Sequence, residues 1–237
     1  MSNPAFSQKT WTRMGEVTDV GTMTIEGTVN KSGFLILLTI MGACVGWTLQ
    51  SGLVLIGSVI SAAILSFCII FKPQRAAFLS QPYALLEGLF LGSVSATYAA
   101  KYPGVVTNAL IGTLGCLAVM LVMYRFRIIR VTEKFKTVML AATAAIAVTY
   151  LVSMVMNLFG SAGIPMIHES GGAGIAFSVI VVGVAAFNLL LDFDLIEQMH
   201  ARQAPKFMEW YCSFALLLTL VWLYLEILRL LAKASKK

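Results

Sequence analysis

Three acids close the stretch "NLLLDFDLIEQMH", residues 188–200: Asp192, Asp194 and Glu197. A carboxyl group held away from water can store a proton, ligate a cation or lock to a base. At the centre of a membrane span such a charge costs about 2.5–3.5 kcal/mol, so by default it faces an interior or a pathway. Helical geometry separates the three. Asn188 and Asp192 are four apart and share a face, whereas Asp194 lies about 200° further round at about 100° per residue. Asp192, paired with Asn188, is the pathway candidate. Asp194 and Glu197 share another face and are expected at the interface, solvated or paired to Arg202.

Two further acids lie inside apolar runs. Glu87 follows the start of "YALLEGLFLG" and reads as a proton or cation ligand, as a lock to a basic latch such as Arg75, or as a polar helix start reaching the headgroups. Glu226 precedes Arg229 by three, the spacing of a simple ion pair on one helix. No HExxH, GxSxG, P-loop or Ser–His arrangement is present, so no enzyme is expected. Cys44, Cys68, Cys116 and Cys212 are far apart and each lies in an apolar run, as small buried thiols do. His168 and His200 lack metal-ligand spacing.

The elements that must hold these groups are membrane helices. The chain has 237 residues, 59% hydrophobic and only 12% charged, against about 25% charged in soluble domains. Apolar runs predict seven spans, at 34–49, 53–71, 82–100, 105–124, 138–158, 174–191 and 210–231. Long runs without period-two alternation favour helices over a barrel. The fold class is thus an all-α integral membrane protein, a seven-transmembrane-helix bundle. It comprises a polar N-terminal tail at 1–32, a membrane domain at 33–231 and a basic C-terminal tail at 232–237. No cleavable signal is expected, because the first 32 residues lack an apolar core.

The short links "QSG" and "KYPG" make antiparallel neighbours of the spans they join, and "GSAGIPMIHESGGAG" is read as a plain loop. Gly88 and Gly92 form a GxxxG pair, and Ala141 and Ala145 repeat the idea; intramolecular helix packing is the expected use. Twelve Lys and Arg lie on the N-terminal side of the spans and one, Lys101, in the opposite loops. That bias puts the N-terminus in the cytoplasm. Arg229, Lys233, Lys236 and Lys237 dissent if the last helix crosses fully; a half-crossing helix would also account for them. The net charge of +6 is not read as nucleic-acid binding, which needs a clustered basic face.

Five segments, "NPAF", "GTMTIEGTVNKSG", "YALLEGLFLG", "LDFDLIEQ" and "APKFMEWYCSFALLLTLVWLYLEILRLL", resemble the bacterial Bax inhibitor-1/YccA branch of the transmembrane Bax inhibitor motif family. The resemblance implies seven helices with the last near the centre. It also implies a pH-sensitive calcium leak, or in one bacterial branch modulation of a membrane-bound AAA protease. In leak members an aspartate on helix six and one on helix seven share a proton, with a basic latch nearby. The first falls on Asp192. The second falls on Thr219, so the pair is incomplete here. A threonine hydroxyl can hydrogen-bond Asp192 but cannot share a titrating proton as a carboxylate does. Glu87 or Glu226 would then have to supply the second carboxylate.

Two functions are expected from this reading. One is an inner-membrane cation leak with Asp192 and Glu87 as its polar core, no resident cofactor, and Ca2+ only in transit. The other is an interaction protein that regulates a membrane protease through its N-terminal tail. A proton-coupled transporter is a weaker third, since no matching pair of interrupted spans and no internal repeat is visible.

Overall fold

The computed structural model describes residues 21–159 and 171–235. Among them are seven long helices: α1 (Ile25–Leu49), α2 (Gly52–Phe71), α3 (Ala76–Lys101), α4 (Val105–Arg125), α5 (Glu133–Leu158), α6 (Gly172–Ala201) and α7 (Met208–Ala234). A 3-10 turn, Pro73–Arg75, leads into α3. The loop reading for "GSAGIPMIHESGGAG", with His168, falls largely on residues 160–170, outside the described residues; from Gly172 that stretch is already α6.

Local chemistry starts and stops these helices. Thr24 caps α1 by accepting the Gly27 N–H at 2.9 Å, and Thr132 caps α5 through Phe135 N–H at 3.2 Å; a side-chain oxygen satisfies an amide that has no helical partner. Gln50 turns left-handed at φ 38 to end α1, and Gly104 does so at φ 81 before α4. The expected short links are therefore present at both places.

α7 forms the centre of the bundle, packing against α1, α3, α4 and α6. Its span is 56% buried, against 17% for α2, α4 and α5, which places the last helix where the resemblance put it. Outward faces carry exposed apolar side chains, such as Leu53, Ile56, Ile111, Leu114 and Leu140. In water that surface would be a large exposed apolar patch; in a bilayer it is solvated.

Six of the seven helices are long and apolar enough to cross a membrane; α3 is not among them. The expected count of seven spans is thus met by seven helices but not by seven apolar ones. α3 carries Ser80, Gln81, Pro82, Glu87, Ser93 and Ser95. It can do so because its inner face, including Tyr83, Ala84, Leu91 and Ser95, is enclosed by protein rather than lipid.

α1 and α3 pack most closely of all pairs. A Cβ added at Gly42, Gly46, Gly88 or Gly92 would strike a backbone carbonyl of the facing helix. Ser93 uses the same approach to donate to Gly46 O at 3.1 Å. The GxxxG pair is therefore an intramolecular packing face.

Helix ends differ from the expected domain limits at both termini. α1 begins at Ile25, inside the stretch read as tail. α7 continues to Ala234, so Lys233 belongs to the helix, where it is buried and donates to Gly174 O at 3.0 Å and Ser178 Oγ at 2.9 Å. At about 1.5 Å per residue, the 27 residues of α7 reach about 40 Å, enough for a full crossing.

Candidate functional site

Asp192 lies on the face of α6 that meets α7. There it interacts with Thr219 and Cys212, which are seven residues apart and so share one side of α7. The carboxylate Oδ2 is buried without a hydrogen-bond partner. Among the described residues only Ser32 Oγ shares that condition. A buried acceptor without a donor is costly and rare.

Thr219, where the resemblance placed the second aspartate, therefore faces Asp192. Its hydroxyl also donates to Ala215 O at 3.3 Å, one turn earlier. One hydroxyl hydrogen cannot serve both acceptors. The expected pairing of Asn188 with Asp192 is not formed. Asn188 donates instead to Thr143 Oγ1 on α5 at 2.9 Å and to Val184 O at 2.8 Å. The residues share a face, but α5 offers a better-placed acceptor across the helix interface.

Glu87 interacts with Tyr83 one turn earlier, and Tyr83 packs edge-on against Phe214 of α7 at 4.9 Å. Phe214 points about 140° away from Thr219 around α7. So the α7 side chain that meets Tyr83 and the one that meets Asp192 lie on different sides of the central helix. Arg75 is exposed and forms no ion pair with a described residue, so it does not latch either acid.

Glu226 pairs with Arg229 at 3.0 Å, as the spacing predicts. It is 1% exposed and also accepts from Tyr150 Oη at 2.9 Å. Arg229 donates to the same hydroxyl at 2.6 Å and lies over the Tyr150 ring. With these partners Glu226 is a structural lock between α7 and α5, and its hydrogen bonds go to Tyr150 and Arg229 rather than to Asp192. Asp194 and Glu197 are on their own face, but neither pairs with Arg202. Asp194 binds Lys136 of α5 at 2.9 Å, and Glu197 accepts from the Tyr124 hydroxyl of α4.

Sequence reasoning passed over one acid. Glu209, at the start of α7, is 1% exposed. It accepts from Thr24 N at 2.9 Å and Thr24 Oγ1 at 3.1 Å, and pairs with Lys31. Gly27 leaves room for its carboxylate, which a Cβ there would strike. Around it, Met23 N–H donates to Ala204 O at 2.8 Å, His200 Nδ1 meets Met23 O at 3.1 Å, and Ser213 donates to Thr28 O at 2.9 Å. The segments "GTMTIEGTVNKSG" and "APKFMEWYCSF" are thus two halves of one clamp. Their joint presence in the sequence was the available signal.

The bundle and its buried carboxylate define a multi-pass helical membrane protein with an intramembrane acid on a central helix interface. The family model described as Bax inhibitor 1 like matches residues 3–236, nearly the whole chain, and the chain belongs to that family. No curated protein matches the sequence at a significant level.

Proposed function

We propose that this protein is a pH-sensitive cation leak of the inner membrane, with calcium as its cargo and Asp192 as the group that takes up the proton or ion. The observation that carries the reading is the buried, donorless Oδ2 of Asp192. Thr219 supports it. An ionised Asp192 draws the Thr219 hydrogen away from Ala215 O. A protonated Asp192 donates to Thr219 and lets that hydrogen return to the helix carbonyl. One hydroxyl thereby reports the protonation state of Asp192 to the backbone of α7, where the family's second carboxylate is missing.

Calcium takes about 6–8 oxygen ligands, and among the described residues no cluster of three or more acids, histidines or cysteines exists. A weak, passing contact fits a leak. The excess of basic residues on the N-terminal side of the spans supports a cytoplasmic N-terminus.

The test is calcium flux into proteoliposomes across a pH series. Asp192→Asn keeps the shape of the side chain but cannot titrate, so its flux should lose its pH response. Wild-type behaviour from Asp192→Asn would sink the proposal. The second reading, regulation of a membrane AAA protease, draws support from the clamp at Glu209, which fixes the root of the N-terminal segment against the α6–α7 turn. Deleting residues 1–20 should then abolish a partner effect and leave flux intact.

A further inference from the structure

The end of the bundle where α4 passes to α5 holds a second polar site, separate from Asp192. A cleft of about 550 Å3 is lined by Tyr124, Arg127, Arg130, Asp194, Glu197 and Gln198, with apolar walls between them. Its charges are unequally matched. Asp194 pairs with Lys136, which it shares with Glu133, and also accepts from Gln198. Glu197 is exposed and accepts a hydrogen bond from the neutral Tyr124 hydroxyl. Arg127 and Arg130 are exposed, and neither forms an ion pair with a described residue. So Arg127, Arg130 and Glu197 face one cleft, none of them in an ion pair with a described residue.

The loop beside it places this cleft at the lipid surface. Phe126 and Ile128 are 73% and 64% exposed and alternate with Arg125, Arg127 and Arg130. Apolar side chains can enter the acyl region from such a loop while the guanidinium groups reach phosphates. Arg127 ends the α4 turn in the left-handed conformation common after a helix C-terminus, as Gln50 and Gln203 do after α1 and α6. It is kept there by Arg127 N–H to Tyr124 O and Ile128 N–H to Met123 O, both 3.0 Å.

We propose that the cleft binds the headgroup of an ethanolamine phospholipid. Arg127 and Arg130 hold the phosphate, and Glu197, positioned by Tyr124, accepts from the primary ammonium. Arginine matches phosphate oxygens in a bidentate fork. A carboxylate accepts hydrogen bonds from –NH3+, whereas the trimethylammonium of a choline lipid has the same charge and no N–H to give. An anionic glycerol lipid satisfies the arginines and leaves Glu197 facing a phosphate ester with no cation. The shared chemistry is phosphoethanolamine, and the exposed apolar loop names the lipid, rather than a soluble ester, as its source.

Native mass spectrometry of the purified protein with equal amounts of ethanolamine, choline and glycerol phospholipids tests this. One charge-assisted hydrogen bond is worth about tenfold, so ethanolamine lipid should be retained about tenfold over choline lipid. Glu197→Gln should bring that ratio close to one. Arg127→Gln and Arg130→Gln should reduce retention of all three lipids. The ethanolamine-to-choline ratio is measured within one variant, so a general loss of stability cancels in it. Equal retention of ethanolamine and choline lipids by the wild type overturns the proposal. So does a preference that survives Glu197→Gln, a stronger preference for the glycerol lipid, or soluble phosphoethanolamine retained as well as the lipid.

Discussion

Replacing Glu209 by Gln keeps the size of the side chain and removes its charge, which isolates the electrostatic part of the clamp on α1. Glu209 is 1% exposed and Lys31 18%, so water screens the site only partly. The two bonds from Thr24 drop from charge-assisted to neutral strength, a loss of about 1 kcal/mol each. Loss of the Lys31 ion pair adds about 1 kcal/mol, discounted for the exposure of the lysine. The sum, about 3 kcal/mol, falls on the first turns of α1 rather than on the bundle, and corresponds to roughly a hundredfold rise in the open population of that segment. Hydrogen exchange measured by mass spectrometry should therefore accelerate by about that factor at Thr24–Thr28. Peptides covering Leu35–Gly46, held by α3, should be unchanged. Unaltered exchange at Thr24–Thr28 would refute the clamp. Uniform acceleration along α1 would refute its locality.

The other consequences are more direct. Gly92→Ala drives a Cβ into the Ala43 carbonyl and should cost about 3 kcal/mol, the upper end for overpacking, whereas Gly115→Ala enters open space and should be neutral. Thermal melting in detergent separates the two, and equal melting points would discount the close α1–α3 packing. Arg229→Ala strands the buried Glu226 and should cost about 3 kcal/mol, the low end for a broken buried pair because Arg229 is 33% exposed. Tyr150→Phe, with the ion pair kept, should cost only about 1 kcal/mol in the same assay.

The membrane class, the helical architecture and the short links were legible because they depend on local pattern: apolar run length, glycine and proline punctuation, and the lack of period-two alternation. The i, i+3 pairing of Glu226 with Arg229 was legible for the same reason, as both ends lie on one helix. The start of α1 was not. Residues 25–32, "IEGTVNKS", are too polar to read as part of a span, and the acid that caps them, Glu209, is 185 residues from Thr24 in sequence. Nor could α3 be read correctly as a span like the others, because its serines and Glu87 are tolerated only where neighbouring helices replace lipid.

By itself the sequence determined the solvent of this protein, the number of its long helices and the face of α6 that carries Asp192, since composition and the helical repeat act over a few turns. Tertiary structure decided the partners. It gave Asn188 to Thr143, Asp194 to Lys136, Glu197 to Tyr124 and Glu209 to Thr24 and Lys31, and it left Asp192 facing Thr219. Partner choice rests on which side chains the packed helices bring within about 3 Å of each other. Helix periodicity cannot supply that distance, because it says which way a side chain points and not what stands opposite.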